Sequence, residues 1–510
     1  MVWIVAVIVI VVGGFIILAV VDLIQVTHAV RRNFPIIGRL RYVLERIGPE
    51  LRQYIVTDND EERPFSRDQR RWVYSSAKLE NPYFGFGTDN KMAMPQYLLI
   101  RHSAFPYVPP THDDLHPIPV AKVMGEWRNR ELAFRPASVV NISAMSYGSL
   151  SAPAVVSLNR GAMLAGCLHN TGEGGISDHH RHGGDLIFQL GTGYFGARDQ
   201  SGRFNLDLLQ ERVAADPVRA IEIKLSQGAK PGLGGVLPAE KVTAEIAAVR
   251  GVEVGVTVAS PARHAEFDSV SSMIDFIERL AAACRVPVGI KSAVGQRQFW
   301  VELADEMAHR GLGPDFITID GGEGGTGAAP LVFSDNVALP FRSGFAEVYS
   351  TFASRDMHDK VVWIGSGKLG FPGEGLLAMT MGADMVNVGR EPMLAIGCIQ
   401  AQKCHTGHCP TGVATQSKWL MRGLDPIDKS ARAANYVISL RHGLLQLANA
   451  CGQAHPGAVG VESIGFLIEG GDLVSLREQY GYDPAWMAAD ETRLAEISSL
   501  MAGFSSSIGN

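Results

Sequence analysis

From residue 137 onward, short runs of β-branched and aliphatic residues alternate with Ala-, Leu- and Glu-rich stretches of helical character. This alternation is typical of βαβ units, in which helices join parallel strands. The candidate strands are eight in number and lie at 139–144, 166–170, 186–190, 220–225, 288–292, 316–320, 361–365 and 385–389. Eight such units predict an α/β fold of the (β/α)8 type, a TIM barrel.

A doubly wound parallel sheet is the competing topology for the same alternation. Polar residues stand at the C-terminal end of nearly every candidate strand, and this favours the barrel, because its eight loops share one face. The run 252–258 is also strand-like and is assigned to an insertion before the fifth barrel strand.

The composition and residue pattern of the chain divide it into four parts. Residues 1–24 predict a transmembrane helix, and residues 25–136 an irregular N-terminal lead-in or cap that mixes arginines, aromatic residues and prolines. Residues 137–420 predict the barrel together with a cysteine-rich loop. Residues 421–510 predict a helical segment and a tail.

The N-terminal segment is uncharged from residue 2 to residue 21, which is about the length of a helix that crosses a bilayer. Nothing basic precedes it, unlike a typical signal peptide, and six arginines follow it between residues 31 and 52. The positive-inside rule then predicts a single-pass anchor in the cell membrane with the body of the chain in the cytoplasm. A buried core helix is the alternative.

The formal net charge is −6, and no long basic run follows residue 71, so nothing indicates nucleic-acid binding. Six cysteines in 510 residues are too few for a disulfide scaffold. Three of them cluster in the run GCIQAQKCHTGHCP at 397–410, which indicates a reducing compartment.

The clustered cysteines are Cys398, Cys404 and Cys409. Three thiolates in a short loop suit an iron–sulfur cluster better than a structural zinc ion, which prefers four protein ligands. A three-iron cluster, or a four-iron cluster with one open position, fits such a set. Three buried or incidental thiols are the alternative.

Glycine-rich loops follow the last three candidate strands, in the runs DGGEGGTG at 320–327, GSGK at 365–368 and GRE at 389–391. Glycines at this density let backbone N–H groups approach an anionic or planar ligand. Loops after strands seven and eight are the usual phosphate site of a barrel, so they favour a phosphorylated cofactor. Tight turns between strands and helices also use glycine.

Lys291 lies within the apolar run PVGIKS of the fifth candidate strand. Because an unpaired charge is costly inside a barrel, this lysine is expected to point at the barrel mouth. In a flavin barrel it can stabilise the negative charge of the reduced ring, and a salt bridge to a neighbouring strand is the alternative. Lys224, in the run IKLSQG on the fourth strand, permits the same two interpretations.

Glu173 follows the second strand in the run NTGEGG. It is a candidate proton donor or ammonia-orienting group, and a cap on the following helix is the alternative. The run DHHRH at 178–182 suggests a metal site at first sight. Adjacent histidines on a polar loop more often contact solvent or anions.

These runs resemble the FMN-binding synthase domain of glutamate synthase. The matching runs are ISAMSYGSL at 142–150, NTGEGG at 170–175, QGAKPG at 227–232, the lysine run at 291–295, GGTGA at 324–328 and the cysteine run through residue 416. They occur in the family's order and cover about residues 137–420.

The resemblance implies a [3Fe–4S] cluster on the three clustered cysteines, whose spacing equals that of the family, and a bound FMN. It places Lys291 on the family's flavin-contacting lysine and Glu173 on its loop glutamate, and with Lys224 these are the expected catalytic residues. The residues expected to contact FMN are Ser143, Ala144, Met145, Ser146, Gln227, Lys291, Gly324, Gly325, Thr326, Gly365, Gly367, Gly389 and Arg390. The implied reaction is the reduction of 2-iminoglutarate, formed from 2-oxoglutarate and ammonia, to L-glutamate.

Two loops depart from the family's pattern. The family's Pro-Gly-Glu-Gly-Gly reads PGLGG at 231–235, so Leu233 stands in the place of a carboxylate. The family's Gly-His-Asp-Gly-Gly reads GGEGG at 321–325, with Gly322 in the place of the histidine and Glu323 in that of the shorter acid. Both loops are expected near the active-site mouth, where they bear on the choice of substrate.

The sequence contains no stretch with the texture of the family's glutaminase domain and no Gly-x-Gly-x-x-Gly between a strand and a helix. Ammonia is therefore expected from solution or from a glutaminase partner, and electrons from ferredoxin, a separate reductase or a membrane-bound donor. Two other functions fit the same residues. One is an amine-exchanging transferase subunit of the methylamine–glutamate N-methyltransferase type, and the other is an electron-relay protein without turnover.

Overall fold

The computed structural model describes residues 2–25, 27–80, 85–109, 118–487 and 491–506. The chain forms two compact units, Met1–Gln69 and Arg70–Asn510. The first unit contains α1 (Val2–Ile24), α2 (Ala29–Asn33) and α3 (Gly38–Leu51), with a π-helical turn over Arg52–Val56. A fourth helix, α4 (Arg67–Lys78), spans the boundary between the units.

Among the described residues, α1 is the one helix long and apolar enough to cross a bilayer. Its 23 residues give a length of about 34 Å, close to the thickness of the hydrocarbon core. No residue of its most apolar stretch is buried. A signal sequence near an N-terminus can also meet this criterion of length and composition.

The strands of the second unit are β1 (Leu98–Ile100), β2 (Val140–Ile142), β3 (His169–Asn170), β4 (Leu186–Leu190), β5 (Val218–Lys224), β6 (Val236–Leu237), β7 (Val258–Ala259), β8 (Val288–Ser292), β9 (Phe316–Asp320), β10 (Val362–Ser366), β11 (Met385–Val388), β12 (Ile464–Leu467) and β13 (Leu473–Ser475).

Its helices after α4 are α5 (Ala152–Ala165), α6 (Leu206–Ala215), α7 (Ala244–Arg250), α8 (Val270–Cys284), α9 (Arg297–Arg310), α10 (Leu331–Asn336), α11 (Phe341–Ala353), α12 (Pro372–Thr380), α13 (Arg390–Ala395), α14 (Lys418–Met421), α15 (Pro426–Ala450), α16 (Leu476–Tyr480), α17 (Pro484–Met487) and α18 (Glu491–Ser506).

Eight parallel strands close into a barrel in the order β10, β11, β2, β3, β4, β5, β8 and β9. This closure confirms the predicted (β/α)8 fold. Strands β4, β8 and β9 coincide with their predicted bounds. Strand β3 is shorter than predicted, because Gly166 ends α5 in a left-handed conformation and is not part of the strand.

The insertion between β5 and β8 carries the antiparallel pair β6 and β7 and the helix α7. The strand expected over 252–258 was largely wrong, since only Val258 belongs to β7. Gly255, with a φ of 71°, turns the chain within this run.

A three-stranded antiparallel sheet joins the lead-in to the C-terminal segment. β1 pairs with β12 through Leu98 and Phe466, and β12 pairs with β13. These strands are three or four residues long, and the sequence pattern did not indicate them.

The barrel interior contains a fully buried carboxylate, that of Glu222 on β5. Its Oε1 accepts hydrogen bonds from Asn170 Nδ2 at 2.8 Å and from Gln189 Nε2 at 2.7 Å, and its Oε2 accepts one from Thr318 Oγ1 at 2.6 Å. The donors belong to β3, β4 and β9. The network therefore ties four of the eight strands through one side chain.

Replacing this carboxylate tests how much it contributes to the free energy of unfolding. We expect Glu222→Leu to lower the free energy of unfolding by roughly 3–5 kcal/mol, because it leaves three buried donors without an acceptor. Glu222→Gln should cost less, since its amide can accept from the two amides and donate to Thr318. Thermal unfolding of each variant measures the effect, with the exposed Glu211→Gln on α6 as the control. Equal stability of Glu222→Leu and wild type would contradict this account.

Candidate active site and cysteine loop

The loops that carry the predicted site residues meet at the C-terminal end of the barrel strands. They approach so closely that a Cβ at Gly228 would overlap the carbonyl oxygen of Gly321. A Cβ at Gly367, whose φ is 121°, would lie 3.0 Å from the backbone nitrogen of Gly321. Glycine permits both approaches. The loops after β5, β9 and β10 therefore form one contiguous surface.

The loop after β2 lies beside the end of β11. The N–H of Ser143 donates to the carbonyl oxygen of Val388 at 2.8 Å. Ser143 and Ser146 are buried, whereas Ala144 and Met145 are half-buried. Of the four predicted residues of this loop, Ala144 and Met145 are thus the partly accessible ones.

Glu173 and Lys224 form an ion pair at this rim, 2.7 Å from Oε1 to Nζ, and Lys224 also donates to Gln227 Oε1 at 2.6 Å. Burial raises the pKa of the Glu173 carboxyl, but Lys224, and more weakly Lys230 and Arg250, bring it below its usual value. Glu173 therefore accepts hydrogen bonds as a carboxylate at neutral pH. It does not act as a helix cap here.

Lys291 lies 3.6 Å from Asp320 Oδ2 on the neighbouring strand β9. The same carboxyl accepts a hydrogen bond from the N–H of Gly228 at 2.9 Å. Burial raises the pKa of Asp320, but Lys291 and the Gly228 N–H lower it below its usual value. The salt bridge considered for Lys291 from sequence is present, and it holds the ammonium at the barrel mouth.

Two cations lie where the last two barrel strands end. Arg390 donates to the carbonyl oxygen of Glu323 and so links the loops after β11 and β9. Desolvation lowers the pKa of Lys368, and the nearby Arg390 lowers it further. Adjacent cations beside the glycines at 365, 367 and 389 fit the phosphate of a mononucleotide.

The cysteine loop follows α13 and bends sharply. Gln400 and Gln402 have φ values of 58° and 54°, a left-handed conformation that residues other than glycine rarely adopt. Such conformations cluster at functional sites. Cys398, Cys404 and Cys409 are all free thiols in this loop.

Two side chains tie the cysteine loop to the loop after β2. The buried Lys241 donates to the carbonyl oxygens of Ser149 at 3.2 Å and Cys404 at 2.7 Å. Gln416 Nε2 donates to the carbonyl oxygens of Gly148 and Leu150, at 3.2 and 3.0 Å. The cysteines and the predicted flavin loop are therefore held as neighbours.

The environment of the thiols fits metal ligation. Burial raises the pKa of Cys398 to about 12, and burial and Cys409 raise that of Cys404. Burial also raises the pKa of Cys409, but the Thr411 hydroxyl and nearby backbone N–H groups bring it below its usual value. Cys409 is therefore the thiol that this environment most favours as a thiolate, and a bound iron would supply the charge that deprotonates the other two.

Within the described ranges, no three His, Cys, Asp or Glu side chains could hold a single metal ion. A cluster of several irons separates its ligands more widely than one ion does, so the three cysteines remain candidates for a cluster. The DHHRH run does not form a metal site. His179 pairs with Glu245 at 2.7 Å, and His180 packs against Ser177.

Three further residues at the site were not assigned from sequence. Arg250 on α7 is buried and donates to the carbonyl oxygen of Tyr147 at 3.0 Å, and burial lowers its pKa to about 10. Lys230 donates to the carbonyl oxygen of Ala328 at 3.0 Å. His264 bonds through Nε2 to the carbonyl oxygen of Lys224 at 2.9 Å. Arg250 and His264 come from the insertion, which has no periodic pattern to indicate them.

The two departures from the family's pattern have different surroundings. The Oε2 of Glu323 accepts a hydrogen bond from the N–H of Phe341 at 2.8 Å, so this acid caps α11. Leu233 is 39% exposed in the insertion. Two residues later, a Cβ at Gly235 would lie 2.7 Å from Glu173 Oε1. At Gly235, the insertion therefore passes close to the Glu173 carboxylate.

Removing the partner of Glu173 tests the ion pair. We expect Lys224→Met to lower the free energy of unfolding by roughly 3 kcal/mol at neutral pH, because it removes the nearest cation from a half-buried carboxylate and leaves only the more distant Lys230 and Arg250. Since the pair lowers the folded-state pKa of Glu173, its stabilisation is complete above the unfolded value of about 4.3 and is lost as the pH falls through the folded value.

The deficit of Lys224→Met relative to wild type should therefore narrow below about pH 4. Unfolding measured between pH 7 and pH 3.5 checks this. The double variant Glu173→Gln/Lys224→Met completes the thermodynamic cycle. A deficit that does not change with pH would contradict the pairing.

Comparisons with known proteins place the chain among its relatives. The family model that describes the conserved region in glutamate synthase matches residues 111–454 of the chain. The glutamate synthase large subunit-like protein YerD of Bacillus subtilis (strain 168) is 39% identical over 488 residues, covering 89% of this chain and 92% of that protein. An archaeal-type glutamate synthase (NADPH) of Thermotoga neapolitana is 35% identical over 319 residues.

That second match covers 61% of this chain and 59% of the Thermotoga protein, so the chain spans less than two thirds of that relative. Among solved structures, a mandelate oxidase variant with an FMN adduct is similar over 84% of this chain and 99% of that one, with 14% identity and a TM-score of 0.41. A similarity this low supports no conclusion about function. The family match and the Bacillus relative together cover the barrel and the cysteine loop, and the chain belongs to the glutamate synthase family.

Proposed function

We propose that the protein is a glutamate synthase-like oxidoreductase that reduces 2-iminoglutarate, formed from 2-oxoglutarate and ammonia, to L-glutamate. It would use FMN and a [3Fe–4S] cluster, with electrons from an external donor. The observation that carries the proposal is the attachment of the cysteine loop to the loop after β2 through Lys241 and Gln416. This attachment holds the cysteine loop, which would carry the cluster ligands, next to the loop that would contact FMN.

The residues that would hold each cofactor follow from the site. The three cysteines would ligate the cluster, and the loops after β2, β9, β10 and β11 would hold FMN, with Lys368 and Arg390 near its phosphate. When bound, FMN supplies hydride transfer and the cluster supplies one-electron transfer.

The chain's own residues would position the substrate. Lys291, held by Asp320, would place a positive charge where electron density accumulates during reduction. Glu173 is a carboxylate, and this favours its role in orienting ammonia or the imine nitrogen through hydrogen bonds over a role as proton donor. Lys230 and Arg250 supply cations beside it that suit a dicarboxylate such as 2-oxoglutarate.

The proposed setting is the cytoplasmic side of the cell membrane, with α1 as a single-pass anchor. The charge distribution supports this, since the arginines follow the apolar segment. Ammonia would come from solution or a glutaminase partner, and electrons from ferredoxin, a separate reductase or a membrane-bound donor.

An anaerobic assay of the cofactor-loaded, full-length protein tests the reaction, with reduced methyl viologen, 2-oxoglutarate and ammonia. We expect glutamate to form in proportion to the viologen oxidised, and Lys291→Met to lower the rate while the flavin spectrum is retained. Amine exchange without net electron consumption would instead identify a transferase of the methylamine–glutamate type. Protein with both cofactor spectra and neither reaction would be an electron relay.

A cysteine variant tests the cluster independently of turnover. We expect Cys404→Ser to lose the iron and the broad visible absorbance of the cluster while the protein stays folded and retains flavin. Iron analysis and absorbance spectroscopy measure this. Cys451→Ser, which changes a partly buried cysteine outside the loop, is the matched control and should keep its iron. Full iron content in Cys404→Ser would overturn the ligand assignment.

A further inference from the structure

The helix α3 carries an exposed apolar stripe. Leu40, Val43, Leu44, Ile47 and Leu51 recur at spacings of three and four residues, which places them on one face. Each is between 39% and 59% exposed. Water-soluble proteins rarely leave a contiguous stripe of this kind uncovered, so a partner for it is required.

The opposite face of α3 packs within its own unit. A Cβ at Gly38 would lie 2.7 Å from the carbonyl oxygen of Val30 on α2. The Tyr42 ring stacks against the Arg31 guanidinium at 4.4 Å and meets the His28 ring at 4.9 Å. On a helical projection, Gly38 and Tyr42 lie across from the stripe, which therefore faces away from α2.

An ion pair with a buried carboxylate attaches the start of α3 to the end of α1. Asp22, 1% exposed, accepts from Arg39 Nη2 at 2.8 Å, from Arg39 Nε at 2.8 Å and from the N–H of Ile36 at 3.0 Å. Asp22 lies two residues before the end of α1 at Ile24. If α1 spans a bilayer, this pair holds α3 at the level of the lipid headgroups.

The charges around α3 complement an anionic surface. Between residues 22 and 56 the chain has six arginines and three acidic residues. Arg46 lies on the edge of the stripe, and Arg52 follows the last turn of α3. Long cationic side chains at such edges reach headgroups while the apolar face enters the acyl region.

We propose that α3 lies in the plane of the membrane interface, with its stripe among the acyl chains and its flanking arginines on anionic phospholipid headgroups. The inference rests on the proposed anchoring by α1. It makes the first unit a two-part membrane element, with one helix across the bilayer and one along its surface.

Site-specific photo-crosslinking in the full-length protein tests this placement. A benzophenone amino acid would replace Leu44 in the stripe, the exposed Glu45 on the opposite side of α3 or Ile10 in α1, one at a time. Each protein would be reconstituted into vesicles of phosphatidylcholine and phosphatidylglycerol. We expect phospholipid adducts by mass spectrometry from positions 44 and 10, several-fold above position 45. Omitting phosphatidylglycerol should reduce the yield at position 44 but not at position 10.

The outcomes separate the two proposals. Adducts at position 10, with position 44 no higher than position 45, would overturn the interfacial placement and leave the anchor intact. Absence of lipid adducts at position 10 would overturn the anchor itself. A crosslinked dimer from position 44 would show that a second copy of the chain covers the stripe, and would also overturn the proposal.

Discussion

The carboxylate buried inside this barrel and the ammonium groups at its rim each lie against groups of complementary charge or polarity, and the candidate site is built from these pairs. In the interior, Glu222 joins four strands because three donors share its carboxylate. At the rim, Lys224 is held by Glu173, and Lys291 is drawn toward Asp320. Buried charges paired in this way keep a fixed direction, which is what a site needs in order to orient a reacting group.

A buried ammonium group with partners in both loops also joins the barrel to the cysteine loop. Lys241 is buried and donates to carbonyl groups of both the cysteine loop and the loop after β2, so neither loop can shift without stranding an ammonium. Gln416 adds two further bonds between them. The two proposed cofactor regions are thus parts of one hydrogen-bonded structure, although well over 200 residues separate them along the chain.

Sequence alone predicts the barrel strands well, because buried parallel strands are continuous β-branched runs and the glycine loops mark their ends. It does not predict pairings such as Glu173 with Lys224, since these depend on how distant loops converge. Glu323 was noted from sequence only as a departure from the family's pattern near the expected active-site mouth, and its role as a cap on α11 depends on a helix that starts 18 residues later. The short strands β1, β12 and β13 were missed because three or four residues show no periodicity.

The barrel closes between its first strand and its last, where Val140 pairs with Val386. A ribosome adds about 5–20 residues each second, so tens of seconds pass between the synthesis of these two strands. During that interval the nascent sheet has two unpaired edges, which are templates for wrong pairing. The nascent sheet therefore exposes both edges until β11 has been made, and the proposed cofactor sites are complete only once the cysteine loop has followed that strand.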